Sequence, residues 1–201
     1  MTAKIKLNAA SGGGSFSLQA PSSSANTRVM TLPDTADGTI LTTTNPKAGN
    51  IIQIVQAYKT DTSSTNSSTF ADIGSLSVTI TASSASNKFL CIATLTGSSP
   101  NQLRLRLARD GSGISQGVTD GNRVGIGGIL QRSNQSDYGF QATTLQSGLG
   151  AIGDTNAHTF TVQFAKEVGG GTSYIGRNIN DLNNDSGFRC SSFLTVMEVA
   201  G

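Results

Sequence analysis

The sequence predicts an all-β protein, and two observations support this prediction. Ser and Thr together make up about a quarter of the chain and glycine contributes 24 residues, whereas strong helix formers never combine over a window of helix length. In addition, apolar and polar residues alternate in several segments, and Gly, Pro, Asn and Asp residues separate these segments, as they do in strands joined by turns.

The first stretch, residues 4–46, carries short apolar pairs that no single copy of the stretch can cover. The free energy gained by burying one narrow apolar face per strand does not offset the backbone entropy cost of about 1 to 2 kcal/mol for each ordered residue. Identical segments around a symmetry axis solve this problem, since each gives its apolar edge to a shared interior. We therefore expect a stalk or collar in a homotrimer, with a core made by Ile5, Leu7, Phe16, Leu18, Met30, Leu32 and Ile40.

The composition changes after Pro46, where the first long apolar run begins at residues 50–58. We expect an N-terminal β stalk or attachment region at residues 1–48 and a head domain at residues 49–201. The spacing of six to eight strands in the second region predicts a β-sandwich of the jelly-roll type.

Within the head, the clearest strands are those with strict alternation, and the weakest lie among the many glycines of residues 111–153. Residues 89–95 are apolar on both faces, which is typical of a central strand buried between layers. The predicted strands are residues 76–81, 89–95, 102–107, 123–131, 138–145, 158–164, 173–177 and 193–199.

Charge and hydropathy exclude several classes of partner. The net charge of +2 is too small to indicate a nucleic-acid-binding surface, and no apolar run reaches the length of a membrane span. The N-terminus lacks the apolar core of a secretory signal, so we expect synthesis and assembly in a cytoplasm. Cys91 and Cys190 match no metal-ligand spacing, and a disulfide between them is possible without being required.

The sequence offers no clear catalytic or cofactor site. His158 is the single histidine, and it lies in register with Phe160 and Val162, which is more typical of the edge of a core than of a catalytic base. The glycines of residues 124–130 do not lie between a strand and a helix, as a phosphate-binding loop requires. We predict no enzyme activity, no cofactor and no paired catalytic carboxylates.

Two polar clusters leave alternatives open. Asp181, Asn183 and Asp185 have the spacing of a calcium loop, but Gly187 is one place late and no Glu completes the site, so a hydrated turn is the simpler interpretation. The second cluster is an arginine stripe that is either a solvated face or a surface for anionic sugars or a neighbouring subunit's carboxylates, and it consists of Arg104, Arg106 and Arg109.

Three segments resemble one known class of protein. The runs KLNAASGGGSFSLQAPSSSANTRVMTLPDTADGTILTT, NPKAGNIIQIVQAYKTDT and FLTVMEV resemble tail-fibre and related virion proteins of bacteriophages, particularly marine and cyanobacterial ones. The resemblance implies a homotrimeric virion component with an N-terminal attachment region, a jelly-roll-like head, other virion proteins as partners and no active-site residues.

From these features we expect a tail fibre or fibre tip whose head contacts a host surface glycan through loops at residues 111–121, 133–139 and 178–187. The alternative is a capsid decoration or cement spike with the same fold. A polysaccharide depolymerase is a third hypothesis, and the aromatic content of 5% with no Trp argues against it, because sugar-degrading sites stack their substrates on aromatic rings.

Overall fold

The computed structural model describes residues 4–19, 22–27, 29, 46–131, 139–169, 171–185 and 187–201. The chain divides into two compact units, Met1–Ile40 and Leu41–Gly201. The described residues form strands and turns without a helix, so the prediction of an all-β protein is confirmed.

The first unit contains one antiparallel hairpin, formed by β1 (Lys4–Asn8) and β2 (Ser15–Gln19). The Ala9 N–H donates a hydrogen bond to the Gly14 carbonyl at 2.9 Å and closes the loop. Gly12 and Gly13 have φ angles of 82° and 68°, a conformation that glycine adopts without steric cost. Met30, Leu32 and Ile40 of the expected trimer core lie outside the described residues.

The second unit contains two antiparallel sheets. The strands of the first sheet are β3 (Ile51–Lys59), β4 (Ser63–Thr65), β6 (Lys88–Ser98), β10 (Gln141–Gln146), β11 (Gly150–Ala151), β13 (Ser173–Ile175) and β14 (Ser192–Val199). Their order is β3-β14-β6-β13-β4, and β10 and β11 pair with the edge of β6 opposite β14.

The second sheet has the order β5-β12-β7-β8, and β9 also pairs with β7. Its strands are β5 (Ala71–Thr81), β7 (Gln102–Arg109), β8 (Ser112–Ile114), β9 (Gly128–Gln131) and β12 (Ala157–Lys166). Both sheets contribute to one apolar core, an arrangement consistent with the expected β-sandwich.

Alternating residues of the long strands form this core. Leu103, Leu105 and Leu107 of β7 are buried, and they lie beside Phe160, Val162 and Phe164 of β12. The Phe160 ring meets Phe89 of the first sheet at a centroid distance of 4.7 Å and an interplanar angle of 57°. The strict alternation in the sequence therefore predicted both the strands and the side that each of them buries.

The glycine-rich middle of the chain is less regular than expected. The strand expected at residues 123–131 is limited to β9, because residues 117–127 form a loop in which the Gly117 N–H donates to the Ile126 carbonyl at 3.0 Å. A Cβ on Gly125 would lie 1.7 Å from the Gly117 carbonyl oxygen, so this close approach requires glycine. The expected strands at residues 138–145 and 173–177 correspond to the shorter or shifted β10 and β13.

The prediction that residues 89–95 are buried on both faces was wrong for one face. Cys91, Ala93 and Leu95 point into the core and are fully buried. Leu90 and Ile92 point away from the second sheet and are only half-buried. A sandwich of two sheets covers only one side of each sheet, which is the physical reason for the difference.

A buried carboxylate on β14 binds both β3 and the loop that follows β5. Glu198 is 0% exposed, and its oxygens accept hydrogen bonds from the Gln53 and Asn87 amides at 2.5 Å and from the Ser83 N–H and hydroxyl at 2.8 Å. Burial alone would raise the pKa of Glu198, but the bonds from Asn87, Gln53 and Ser83 outweigh it and hold the pKa below its ordinary value. The carboxylate therefore links β14 to β3 and to the loop after β5.

We expect Glu198→Gln to destabilise the second unit at neutral pH by about 1 to 3 kcal/mol, because an amide nitrogen would face donors that now lack an acceptor. Since the folded-state pKa is lowered, the contribution of Glu198 is complete above its unfolded pKa and is lost as the pH falls through the folded value. Urea unfolding at pH 7 and at pH 3 measures both effects. The exposed Glu167→Gln is the matched control, and equal stability of the two variants at pH 7 would contradict the assignment.

Candidate functional surfaces

The hairpin of the first unit presents apolar side chains on one face. Ile5 pairs with Leu18 and Leu7 pairs with Phe16, so these four positions share one side of the two-stranded ribbon. Ile5, Leu7 and Leu18 are exposed by 64%, 57% and 39%. A two-stranded hairpin is marginally stable in water unless its apolar face packs against something else.

Arg104 and Arg106 lie on the outer side of β7, next to the ring of Phe70. Their guanidinium carbons are 5.8 Å and 4.2 Å from the ring centroid, within the range of cation–π contacts. Arg104 donates to the carbonyls of Ser68 at 2.9 Å and Lys166 at 2.7 Å. Both arginines therefore hold the loop before β5 against the second sheet.

The contacts of Arg106 continue into a polar network across β12 and β5. Arg106 Nε donates to Gln163 Oε1 at 2.8 Å, and the Gln163 amide donates to Asp72 Oδ1 at 2.9 Å. The Thr161 hydroxyl donates to the same carboxylate oxygen at 2.8 Å. Sequence analysis did not identify Phe70, Asp72 or Gln163, because they come from two distant segments and share no motif.

Arg109 does not lie with Arg104 and Arg106. It lies at the end of β7, where its guanidinium donates to the Ala151 carbonyl at 3.1 Å and the Ile152 carbonyl at 2.7 Å and lies 5.3 Å from the Phe89 ring. These contacts belong to the first sheet. The structure thus divides the expected stripe into an outer pair and one arginine that bridges the two sheets.

Arg109 also belongs to a cluster around His158. His158 Nδ1 is 2.7 Å from Asp110 Oδ2, and Nε2 is 3.0 Å from Asp154 Oδ1 and 2.6 Å from Arg109 Nη2. An arginine can only donate, so Nε2 accepts from Arg109 when the imidazole is neutral, and it donates to Asp154 when the imidazole is charged. Within the described residues the ring is hydrogen-bonded to Asp110, Asp154 and Arg109 and to no Ser, Thr or Cys side chain that could act as a nucleophile.

The acidic members of this cluster are held in the charged form. The Thr159 N–H, which donates to Asp110 Oδ1 at 2.9 Å, and the His158 ring lower the pKa of Asp110. The Asn156 N–H, followed by His158, lowers the pKa of Asp154. Asp110 and Gly111 have φ angles of 50° and 80°, which allows the tight turn that places the Asp110 carboxylate beside His158.

We expect neutral His158 to carry its proton on Nδ1, where Asp110 accepts it, and to leave Nε2 free to accept from Arg109. The chain has one histidine, so nitrogen–proton NMR of the ring at alkaline pH reports this tautomer without assignment ambiguity. Asp154→Asn is the matched control and should leave the tautomer unchanged. A dominant Nε2–H tautomer in the wild-type protein would contradict the described geometry.

The candidate calcium loop is arranged around two arginines. Asp181 accepts from Arg177 Nη1 at 3.1 Å and also pairs with Arg189 Nη1. The hydrogen bond from Arg189 is the main cause that holds the pKa of Asp181 below its ordinary value. Asn183 and Asp185 are exposed, and no cluster of three His, Cys, Asp or Glu side chains suited to a metal ion occurs within the described part of the chain.

Because guanidinium groups already neutralise Asp181, we expect millimolar calcium and EDTA to leave the midpoint of thermal unfolding unchanged. Differential scanning fluorimetry with a dye measures this in parallel samples. Magnesium at the same ionic strength controls for salt effects. A calcium-specific rise of a few degrees would show that a cation site forms in this loop after all.

A further polar cleft lies where Ser83 and Asn87 bind the buried Glu198. It has a volume of about 370 Å³, and its lining includes Ser83, Ser84, Ser86 and Asn87. The Ser83 hydroxyl donates to Glu198, but the Asn87, Gln53 and Ser83 donors hold the pKa of that carboxyl below its ordinary value, which makes it a weak base toward the hydroxyl. The hydroxyl and amide groups that line the cleft can form hydrogen bonds with a neutral polar ligand.

Both cysteines are free thiols. Burial raises the pKa of Cys91 to about 12, which leaves it unreactive at neutral pH.

Of the loops expected to contact a partner, residues 111–121 are described and include Val118, which is 92% exposed. Most of residues 133–139 lies outside the described residues.

No family model matches this chain, and no curated protein matches it. Among the residues that the structure describes, no helix is long and apolar enough to cross a membrane.

Proposed function

We propose that this chain is a self-assembling structural protein rather than an enzyme. More specifically, we propose a homotrimeric tail fibre or fibre tip of a bacteriophage particle. In this proposal residues 1–48 attach the protein to other virion proteins, and the head at residues 49–201 contacts the host surface. The resemblance of the three sequence segments to phage fibre proteins suggests the particle, and the geometry of the first unit supports the self-assembly.

The exposed apolar face of the hairpin is the observation that carries the proposal. Ile5 and Leu7 expose more than half of their surface, and burial of one such aliphatic side chain contributes about 1.5 to 3 kcal/mol. Three identical hairpins that share an interior would bury this face without a separate partner. The expected trimer core at Ile5, Leu7, Phe16 and Leu18 remains a prediction.

The head is suited to a contact role through its loops. Its two antiparallel sheets form a rigid scaffold, and we propose that they are a jelly roll. Loops rich in Gly, Ser and Asn offer adaptable hydrogen bonding to a polar surface such as a glycan. Three weak sites on one axis would gain affinity by a factor on the order of 100 through avidity.

We expect Ile5→Asp and Leu7→Asp to convert the trimer into single chains of 20.6 kDa, because a charge in the shared interior would be buried without a partner. Light scattering coupled to size-exclusion chromatography measures the mass. Ser17→Asp is the matched control, because Ser17 pairs with Lys6 and lies on the opposite face of the hairpin. A wild-type protein that is a single chain at all concentrations would contradict the proposal.

Imaging of the parent particle separates the tail fibre from the alternative role as a capsid decoration spike. Density at the tail supports the fibre, whereas density at the symmetry axes of the shell supports the spike. The purified head should in the first case compete with the particle for adsorption to host cells. Adsorption that stays unchanged at saturating protein would argue against a host-contact role.

A further inference from the structure

The outer side of the first sheet carries an apolar patch made by three neighbouring strands. Tyr58 of β3 pairs with Phe193 of β14, and Met197 of β14 lies between Ile54 of β3 and Leu90 of β6. Directly paired residues and residues two apart share a face. The outer apolar face, as we name it, consists of Ile54, Tyr58, Leu90, Ile92, Phe193 and Met197.

The six residues of this face are partly or largely exposed and uncharged, and the exposed Lys88 lies at its border, next to Leu90 in the outward row of β6. Ile54, Tyr58 and Phe193 are exposed by 57%, 66% and 39%. Its polar members bind one another, since the Gln56 amide donates to the Thr195 hydroxyl at 2.8 Å and Thr94 contacts Thr144 at 3.5 Å. No outward position within residues 54–58, 90–96, 142–146 and 193–197 of the described strands is Asp, Glu, Lys or Arg.

On the second sheet, by contrast, side chains of the same unit cover the outer face. There, Phe70, Arg104 and Arg106 pack over β7 and β12, and Thr161 and Gln163 are only 7% and 6% exposed. No described segment covers the outer apolar face in the same way. Apolar residues on both sides of β3 and β6 are typical of strands that are covered on both faces.

We propose that the outer apolar face binds a second copy of this chain, so that the heads contact one another as well as the hairpins. This inference rests on the proposed self-assembly and assigns it a second surface. A neutral face fits a copy of itself, whereas an anionic glycan or a charged protein would bury charges without partners. Interfaces between identical subunits are similarly poor in charge and rich in Tyr, Phe and Met.

The size of the face determines how strong this contact is. Three strands about 4.8 Å apart and about five residues deep span a projected area of about 240 Å². A stable interface buries about 800 Å² on each partner, so the head contact alone would be weak. It becomes effective when the hairpins already hold the copies together at a local concentration in the millimolar range.

The test uses the full chain with Ile54→Asp and with Phe193→Asp, which place a charge on two different strands of the face. Thr79→Asp is the matched control, because Thr79 is exposed on the outer side of the second sheet. Sedimentation velocity over a dilution series measures the concentration at which the assembly half-dissociates. We expect both face variants to raise this concentration about tenfold or more while the control leaves it unchanged.

Hydroxyl-radical footprinting of the wild-type protein tests the same contact without a substitution. Labelling of Tyr58 and Phe193 should fall several-fold when the protein is concentrated above its half-dissociation point. Phe188, which is 49% exposed in a loop, serves as the internal reference and should be labelled equally in both states.

The outcomes separate this inference from the proposed function. Dissociation caused by the hairpin variants but not by the face variants, with Tyr58 labelled in the assembly, overturns the head contact and leaves the trimer in place. Dissociation caused only by the face variants supports the head contact and overturns the role of the hairpin. Protection of Tyr58 in a single chain means that another segment of the same chain covers the face, and it overturns the inference.

Discussion

The alternation of side chains along a β-strand is the constraint on which this structure depends. Each strand of the second unit has two rows of side chains, and two packed sheets can bury only the row that points inward. The inward rows of β7, β12 and β14 are buried Leu, Val and Phe residues, and together they form the core. The two sheets differ in what covers their outward rows of side chains.

The outer face of the second sheet is covered by the same unit, whereas the outer face of the first sheet is exposed. On the second sheet, Arg104 and Arg106 pack on Phe70 and bind carbonyl and amide oxygens of the same unit, so their charges serve internal cohesion. On the first sheet, Ile54, Tyr58 and Phe193 stay exposed. The chain thus covers one outer face with its own loop and leaves the other apolar, an asymmetry that fits the proposed self-assembly.

The sequence predicted the elements that repeat with period two, and it missed those that depend on distant partners. Leu103, Leu105 and Leu107 predicted β7 and its buried side, because a spacing of two places all three side chains on one side of a strand. His158 gathers Asp110 and Asp154 from two turns, so no local pattern identifies that cluster. Arg109 leaves the arginine stripe because it continues the inward row of Leu103, Leu105 and Leu107 and pairs with the buried Phe160. Arg104 and Arg106 belong to the outward row, so the alternation itself separates them from Arg109.

The position of β14 between β3 and β6 has a kinetic consequence. Gln56 and Thr195, which face each other across β3 and β14, are 139 residues apart in the sequence. The first sheet therefore closes only after a ribosome has delivered nearly the whole unit, and pairings of such long range slow the search for the native topology. Until then β3 and β6 both have open edges, and newly made chains at high concentration would be exposed to mispairing with their neighbours.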